Sequence, residues 1–233
     1  MQNLDNIELF SDLSAEERLR VASKCSWRTY NGGEQILERS STSRDVFFVV
    51  DGSVNIVNFG VSGREVAYAT VDAGQYFGEL SAIDGSPRSA NVIAHKKCMV
   101  ASLSPENFME LLKDHPMVTI QVMKRLARII RVNDERILDL STLGAVQRVC
   151  QELLRMAKPD PLSAGSWLIY PMPTQSTIAS RVSTTRETVA RVLGQLANDG
   201  LVLKKGKNLY LKDRQGIEEM INSLAASSSN IAR

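Results

Sequence analysis

Cysteine is scarce in this chain. The three present, Cys25, Cys98 and Cys150, are far apart and odd in number. That excludes a disulfide framework and offers no zinc or iron–sulfur spacing, so a reducing, cytoplasmic compartment is expected. Histidine is scarcer: His95 and His115 read as turn or surface residues, not haem ligands. No apolar run approaches the roughly 20 residues of a membrane span, and the opening MQNLDNIELF is too polar and acidic for a signal peptide. No membrane partner is expected. Nowhere does the sequence pair a nucleophile with a base or group metal ligands, so neither an enzyme nor a bound metal is expected. A large net charge is absent too, at +2 overall, but the distribution is uneven: residues 1–143 carry −3 and residues 144–216 carry +6. The second half is therefore the candidate for a polyanionic partner.

What is present is a dense stretch from Phe77 to Ala94, FGELSAIDGSPRSANVIA. A glycine turn carries an acid, Gly78-Glu79. The apolar run Leu80–Ile83 is long enough for about one helical turn. The stretch closes on Arg88, Ser89 and an alternating strand. Backbone N–H groups at the start of such a turn, around Leu80 and Ser81, lack intrahelical partners and suit a phosphate. Arg88 adds a fork for phosphate oxygens. Ionised Glu79 only accepts hydrogen bonds and suits a ribose hydroxyl. The plain alternative is a hairpin loop with a surface Glu–Arg pair.

The 233 residues are compatible with two domains. Residues 4–24 read as a helical entry, with a Ser14–Glu17 capping box and Leu13, Leu19 and Val21 facing inward. From Trp27 to Leu103, seven short strands punctuated by glycine turns predict a compact barrel or jelly roll. They are Trp27–Tyr30, Gln35–Leu37, Val46–Val50, Val54–Asn58, Glu65–Val71, Ala90–Ala94 and Cys98–Leu103. Ser104-Pro105 caps a helix that runs to Lys113. After Pro116 a long helix runs to about Leu143. Val122, Leu126, Ile129, Asn133, Leu140 and Leu143 form a heptad-like stripe on it, with Arg136 in the remaining seam position. The stripe reads as a parallel dimerisation helix with Asn133 in an a-like position; an intradomain core helix is the alternative.

Beyond it, Gly144–Met156 reads as a helix and Trp167–Tyr170 as a short strand. Gln175–Val182 and Thr185–Asn198 form a helix pair around Ser183, ended by Asp199-Gly200. Leu201–Leu203 and Asn208–Leu211, joined by Lys204–Lys207, complete a winged helix-turn-helix. Arg186, Glu187, Ala190 and Arg191 share a face in the half that enters a major groove. There arginine takes guanine O6 and N7, and glutamate accepts from cytosine N4. Thr184-x-x-Glu187 also reads as a capping box. The tail from Ala225 is expected to be disordered. The expected fold is thus α+β, with a β-roll domain over 1–115, a dimerisation helix over 116–143, a winged module over 144–216 and a C-terminal helix end and tail over 217–233.

FGEL, an apolar turn and PRSA together resemble the phosphate-binding cassette of cyclic-nucleotide-binding domains. TTRETVARVL is similar to the recognition helix of the cyclic AMP receptor branch of the CRP/FNR regulators, and the resemblance runs from about Leu9 to Leu211. It implies a homodimeric transcription regulator gated by a cyclic nucleotide. Gly78, Leu80 and Ser81 would form the phosphate turn, Glu79 would hold the ribose 2′-hydroxyl, and Arg88 and Ser89 the cyclic phosphate. The base would lie against the long helix at Asn133 and Asp134, where the family's hydroxyl residues are absent. Cyclic AMP is the expected ligand; Ser89, which also suits guanine's amino group, keeps cyclic GMP open. The resemblance further implies that Arg186, Glu187 and Arg191 read a TGTGA-type half-site. Gln175, Ser176, Thr177, Lys205 and Lys207 would contact phosphates. RNA polymerase is an expected partner, through the loop Lys158–Gly165. The alternatives are a ligand-independent regulator and a cyclic-nucleotide effector that does not bind DNA.

Overall fold

The computed structural model describes residues 3–60, 63, 65–163 and 165–229, without the side chains of 224–229. Two compact units divide the chain, Met1–Arg131 and Val132–Arg233.

The first unit begins with the capping box. Ser14 Oγ accepts from the Glu17 amide at 3.2 Å and Glu17 Oε2 from the Ser14 amide at 2.7 Å, opening helix α1 (Ala15–Ser23). Val21 and Ala22 face the core. Leu19 does not, being 62% exposed. It lies two residues before Val21, roughly 200° round the helix, on the opposite side.

Eight strands follow: β1 (Ser26–Tyr30), β2 (Gln35–Leu37), β3 (Val46–Asp51), β4 (Ser53–Phe59), β5 (Glu65–Asp72), β6 (Tyr76–Phe77), β7 (Asn91–Ala94) and β8 (Cys98–Leu103). They form two four-stranded sheets, ordered β1-β8-β3-β6 and β2-β7-β4-β5, with every pairing antiparallel. Strand β6 was not expected, because two residues are too few for an alternation to register. It pairs Phe77 with Phe47.

Strand β3 explains the two cores of this unit. Phe47 and Val49 point into a cluster with Val54, Val92, Phe77 and Val100, drawn from both sheets. Val46 and Phe48 point the other way, into Phe10, Phe108, Val118 and Val122. A strand buried on both faces reads as a continuous apolar run, and VFFVV does. Full burial of Phe48 contributes about 1.5–3 kcal/mol. Helix α2 (Glu79–Asp84) interrupts the roll. Helix α3 (Pro105–Asp114) starts where Ser104 Oγ accepts from the Asn107 amide, and α4 (Pro116–Thr142) continues into the second unit.

The second unit adds α5 (Ala145–Met156), β9 (Lys158–Pro159), β10 (Trp167–Ile169), α6 (Gln175–Arg181), α7 (Arg186–Asn198), β11 (Val202–Lys205), β12 (Asn208–Leu211) and α8 (Arg214–Ser229). Its sheet is ordered β11-β12-β10-β9. The wing strand reaches further than the sequence suggests. Lys204 and Lys205 are paired strand residues, and the turn shrinks to Gly206-Lys207. Helix α8 also departs from expectation, since it continues through Ser229 where disorder was predicted. Ile217 and Ile221 anchor it in the second core, so that core extends past residue 216. Its Ala225-Ala226 continuation favours helix. The last four residues of the expected tail, 230–233, lie outside the described residues.

Gly194 sits inside α7 with open space where a Cβ would project. Gly194→Ala is expected to stabilise the protein by about 0.5–1 kcal/mol, read as a higher urea midpoint. Among the described residues, no helix is long and apolar enough to cross a membrane.

Candidate functional site

The cassette stretch does not carry a surface ion pair. Glu79 is 5% exposed and Arg88 4% exposed, and among the described residues neither forms an ion pair with the other. Glycines at both ends of α2 build the turn. Gly78 and Gly85 adopt φ of 86° and 73°, a left-handed geometry that side chains resist. At Gly78 the constraint is double, because a Cβ would lie 2.8 Å from Arg88 Nη1 and 2.9 Å from the Asp45 carbonyl.

Arg88 is braced on three sides. Its Nε donates to Ser43 Oγ at 3.1 Å, Nη1 to the Gly78 carbonyl and Nη2 to the Asp45 carbonyl, both at 2.8 Å. Its backbone bonds Ser40 and Ser41 of the same loop, and its guanidinium lies 5.7 Å from the Phe47 ring centroid. A guanidinium has five N–H donors, so two remain for an anion. Burial alone would weaken its hold on the proton; Asp45 and then Glu79 oppose that.

Glu79 stands in the reverse situation. Burial pushes its carboxyl pKa up, and the nearby Arg125 guanidinium is the strongest opposing influence, ahead of its own backbone amide and Arg88. Ser81 is buried, Leu80 is exposed, and Ser89 is exposed with its carbonyl accepting from Asn58. The structure thus gathers Gly78, Glu79, Leu80, Ser81, Arg88 and Ser89 in the first unit. Asn133 and Asp134 are exposed on α4 and belong to the second unit.

The stripe on α4 differs from the expected one. Val122 is buried in the first unit's core and Leu126 packs against it. Further along, Ile130, Ile137, Leu138 and Leu140 are 60, 62, 61 and 50% exposed. Ile130, Asn133, Ile137 and Leu140 now continue the steps of three and four from Leu126, so Asn133 occupies a d-like position. Arg136 is off that line. It is half-buried; burial disfavours its charge, Glu152 of α5 favours it, and the like charges of Arg181 and Arg155 oppose it. Nearby, Arg155 of α5 bonds Asp139 at 2.7 Å and approaches Glu135 at 3.5 Å.

In the helix pair, Ser183 turns the chain with φ of 52°, a left-handed conformation where glycine is usual. The expected Thr184–Glu187 box does not form. Thr184 is buried and its amide bonds the Ala179 carbonyl. Thr185 is the cap instead, its Oγ1 accepting from the Thr188 amide at 3.2 Å. The register moves by one because the αL residue at 183 places 184, not 185, in the turn. Glu187 remains tied to the helix start: its own amide and then the Thr185 hydroxyl lower its pKa.

Arg186, Glu187 and Arg191 are exposed, on the first two turns of α7. A groove beside them is lined by Arg186, Ala190, Gln175, Ser176, Lys204 and Lys207. Lys205 is exposed on the wing. Thr177 is engaged locally, with its hydroxyl 2.9 Å from that of the capping Thr174, which leaves Gln175 and Ser176 as the groove-facing groups of α6. Cationic side chains at one face, with a helix start presenting polar groups, suit a phosphodiester backbone flanking a groove-inserted helix.

Sequence reading missed Arg125, Tyr76, Ser43 and Asp45. Each acts through a partner more than 40 residues away in sequence, and no local pattern announces such contacts.

The chain matches the cyclic nucleotide-binding domain family over residues 27–115 and the Crp-like helix-turn-helix domain family over residues 147–220. It is 30% identical over 197 residues to the cAMP-activated global transcriptional regulator Vfr of Pseudomonas aeruginosa, covering 82% of this chain and 92% of that protein. It is 28% identical over 191 residues to the cAMP-activated global transcriptional regulator CRP of Salmonella typhimurium, covering 81% and 90%. Its fold is similar to that of a CooA mutant from Carboxydothermus hydrogenoformans, with a TM-score of 0.79 at 20% identity, covering 91% and 95%.

Proposed function

The chain belongs to the CRP/FNR family of cyclic-nucleotide-binding transcription regulators, which are not enzymes, and we propose that it binds cyclic AMP in the Glu79–Arg88 cassette and, as a homodimer, a palindromic TGTGA-type DNA site. One observation carries the ligand reading: a buried carboxylate and a buried guanidinium lie at the two ends of one turn and are not paired with each other. Two buried opposite charges left apart cost stability. A ribose hydroxyl on Glu79 and a cyclic phosphate on Arg88, with the amides of Leu80 and Ser81, would satisfy both. The adenine would rest on α4 near Asn133 and Asp134. That the named relatives are cAMP-activated supports cyclic AMP. Ser89, exposed beside Arg88, keeps cyclic GMP as the second reading.

Ligand contact with α4 would bring the two recognition helices of the dimer to the spacing of successive major grooves, about 34 Å. The nucleotide must favour the DNA-competent state for this to work. Gln175, Ser176, Lys205 and Lys207 would hold phosphates while Arg186, Glu187 and Arg191 read bases. RNA polymerase would be the downstream partner.

The test is a fluorescence-anisotropy titration of a TGTGA palindrome and a scrambled duplex, with no ligand, with cyclic AMP and with cyclic GMP. Tight binding to the palindrome with cyclic AMP alone is expected. Equal binding without nucleotide would overturn gating, and no binding under any condition would overturn the DNA reading. Arg186→Ala is expected to weaken palindrome binding by about 10- to 100-fold and relax preference at one base pair per half-site, while Lys207→Ala weakens both duplexes alike.

A further inference from the structure

Asn58 is a buried polar side chain in a mostly apolar strand. It is the penultimate residue of β4, after Val54, Ile56 and Val57. At 6% exposed, its amide is out of water, which is costly unless each polar group finds a partner. Here each end of the amide does. Nδ2 donates to the Tyr68 hydroxyl oxygen at 3.0 Å and to the Ser89 carbonyl at 3.2 Å, and Oδ1 accepts from Asn91 Nδ2 at 3.4 Å. Asn91 Oδ1 in turn accepts from the Arg39 amide at 3.0 Å. This polar chain crosses β4, β5 and β7 and ends on Ser89, the residue after Arg88.

Ser89 is therefore held on both sides. The Arg88 carbonyl accepts from the Ser40 amide at 2.9 Å, and the Ser89 carbonyl accepts from Asn58. Peptide units are rigid planes, so fixing the two that flank a residue fixes its backbone. The other N–H of Asn58 reaches across to Tyr68 on β5. That side chain stays 45% exposed while its phenol oxygen is tied down. One buried amide thus sets an open aromatic ring relative to the phosphate end of the cassette.

We propose that Tyr68 binds the base of the nucleotide and that Asn58 is its positioning residue, fixing the ring at a set distance from Arg88 and Ser89. This rests on the cyclic-nucleotide reading given above. A cyclic phosphate closes a second ring on the sugar, so the ligand is stiff and its base stands at a nearly fixed distance from its phosphate. A stiff ligand is held best by groups already at the matching separation. An aromatic face stacks on any base, whatever hydrogen-bonding edge the base presents. Tyr68 therefore supplies affinity for the base, and the choice between adenine and guanine falls to other groups.

The test compares cyclic AMP with ribose 3′,5′-cyclic phosphate, which lacks the base, by calorimetry on the full chain. The wild-type protein is expected to prefer cyclic AMP by more than about tenfold, since stacking of this kind is worth about that factor. Tyr68→Ala is expected to cut the preference by about tenfold through weaker cyclic AMP binding, with affinity for the baseless compound within about threefold of wild type. Tyr68→Phe keeps the ring and Asn58→Leu keeps the bulk, but each removes the bond between them. Each is expected to lower the preference by about threefold, and the double variant no further than Asn58→Leu alone, as for groups acting through one contact. A merely structural role would weaken both ligands alike. An unchanged preference in Tyr68→Ala, or a wild-type protein that binds both compounds equally, would overturn the base contact while the cyclic-nucleotide reading stands. An unchanged preference in Asn58→Leu would overturn the positioning role. Should Asn58→Leu fail to fold, Tyr68→Phe decides that role by the same criterion. If the wild-type protein binds neither compound, the reading itself falls and the inference with it.

Discussion

Arg88→Ala is expected to weaken cyclic AMP binding at least about hundredfold and to abolish nucleotide-dependent DNA binding. A hydrogen bond to a charged group is worth about 1.5–3 kcal/mol, and two such bonds exceed the threshold for that factor. The two N–H groups that Arg88 leaves uncommitted are the ones at stake. The same substitution strands the carbonyls of Gly78 and Asp45, which now accept from it, so the melting temperature will fall too. Arg88→Lys separates these effects. It keeps the positive charge in the turn, but a single ammonium cannot span Ser43, Gly78, Asp45 and a phosphate together. It is expected to lose affinity by more than tenfold with a smaller loss of stability. Calorimetry with cyclic AMP checks both variants. Affinity within about threefold of wild type in Arg88→Ala would remove the phosphate from this end of the cassette.

What was legible in the sequence was local. The Ser14 and Ser104 caps and the glycine-flanked turn of the cassette each depend on residues within a few positions, and the structure has them. A one-residue ambiguity defeated the cap of α7. Thr184 and Thr185 are equivalent as caps until the αL geometry of Ser183 assigns one of them to the turn. The α4 stripe failed for a related reason. Apolar residues occur side by side at Ile129-Ile130 and Ile137-Leu138, so periodicity alone admits two seams. The choice falls to Arg136, which is half-buried with Glu152, sixteen residues on, as the opposite charge acting on it, an influence that no heptad pattern encodes. The bracing of Arg88 by the Ser40–Asp45 loop and of Arg125 by Tyr76 was illegible for the same reason. Such contacts exist only after the roll has closed.

The corrected stripe leads to the second large effect. Ile137→Glu is expected to convert the protein from a dimer to a monomer and to lower affinity for the palindrome by at least about hundredfold. Ile137 is 62% exposed in the protomer, beside Leu138 at 61% and one heptad from Ile130 at 60%. Contiguous exposure of this kind marks an interaction surface, and steps of three and four along a helix suit a parallel pair. A glutamate there would be desolvated against its own copy across the two-fold axis, like charge against like. Without the pair, each half-site is bound separately, and the effective-concentration advantage of a linked second module, about 10²–10⁴-fold, is lost. Because the side chain is exposed in the single chain, protomer stability should change by no more than about 0.5 kcal/mol, which distinguishes dissociation from unfolding. Sedimentation velocity provides the readout: a wild-type mass of about twice the 25.7 kDa chain and a variant mass near that of one chain. Arg136→Ala supplies the contrast. By the original seam it would weaken the dimer; by its position against Glu152 it should leave dimer mass unchanged and lower the stability of the second unit. A dimeric Ile137→Glu protein, or a monomeric Arg136→Ala one, would return the seam to its first register.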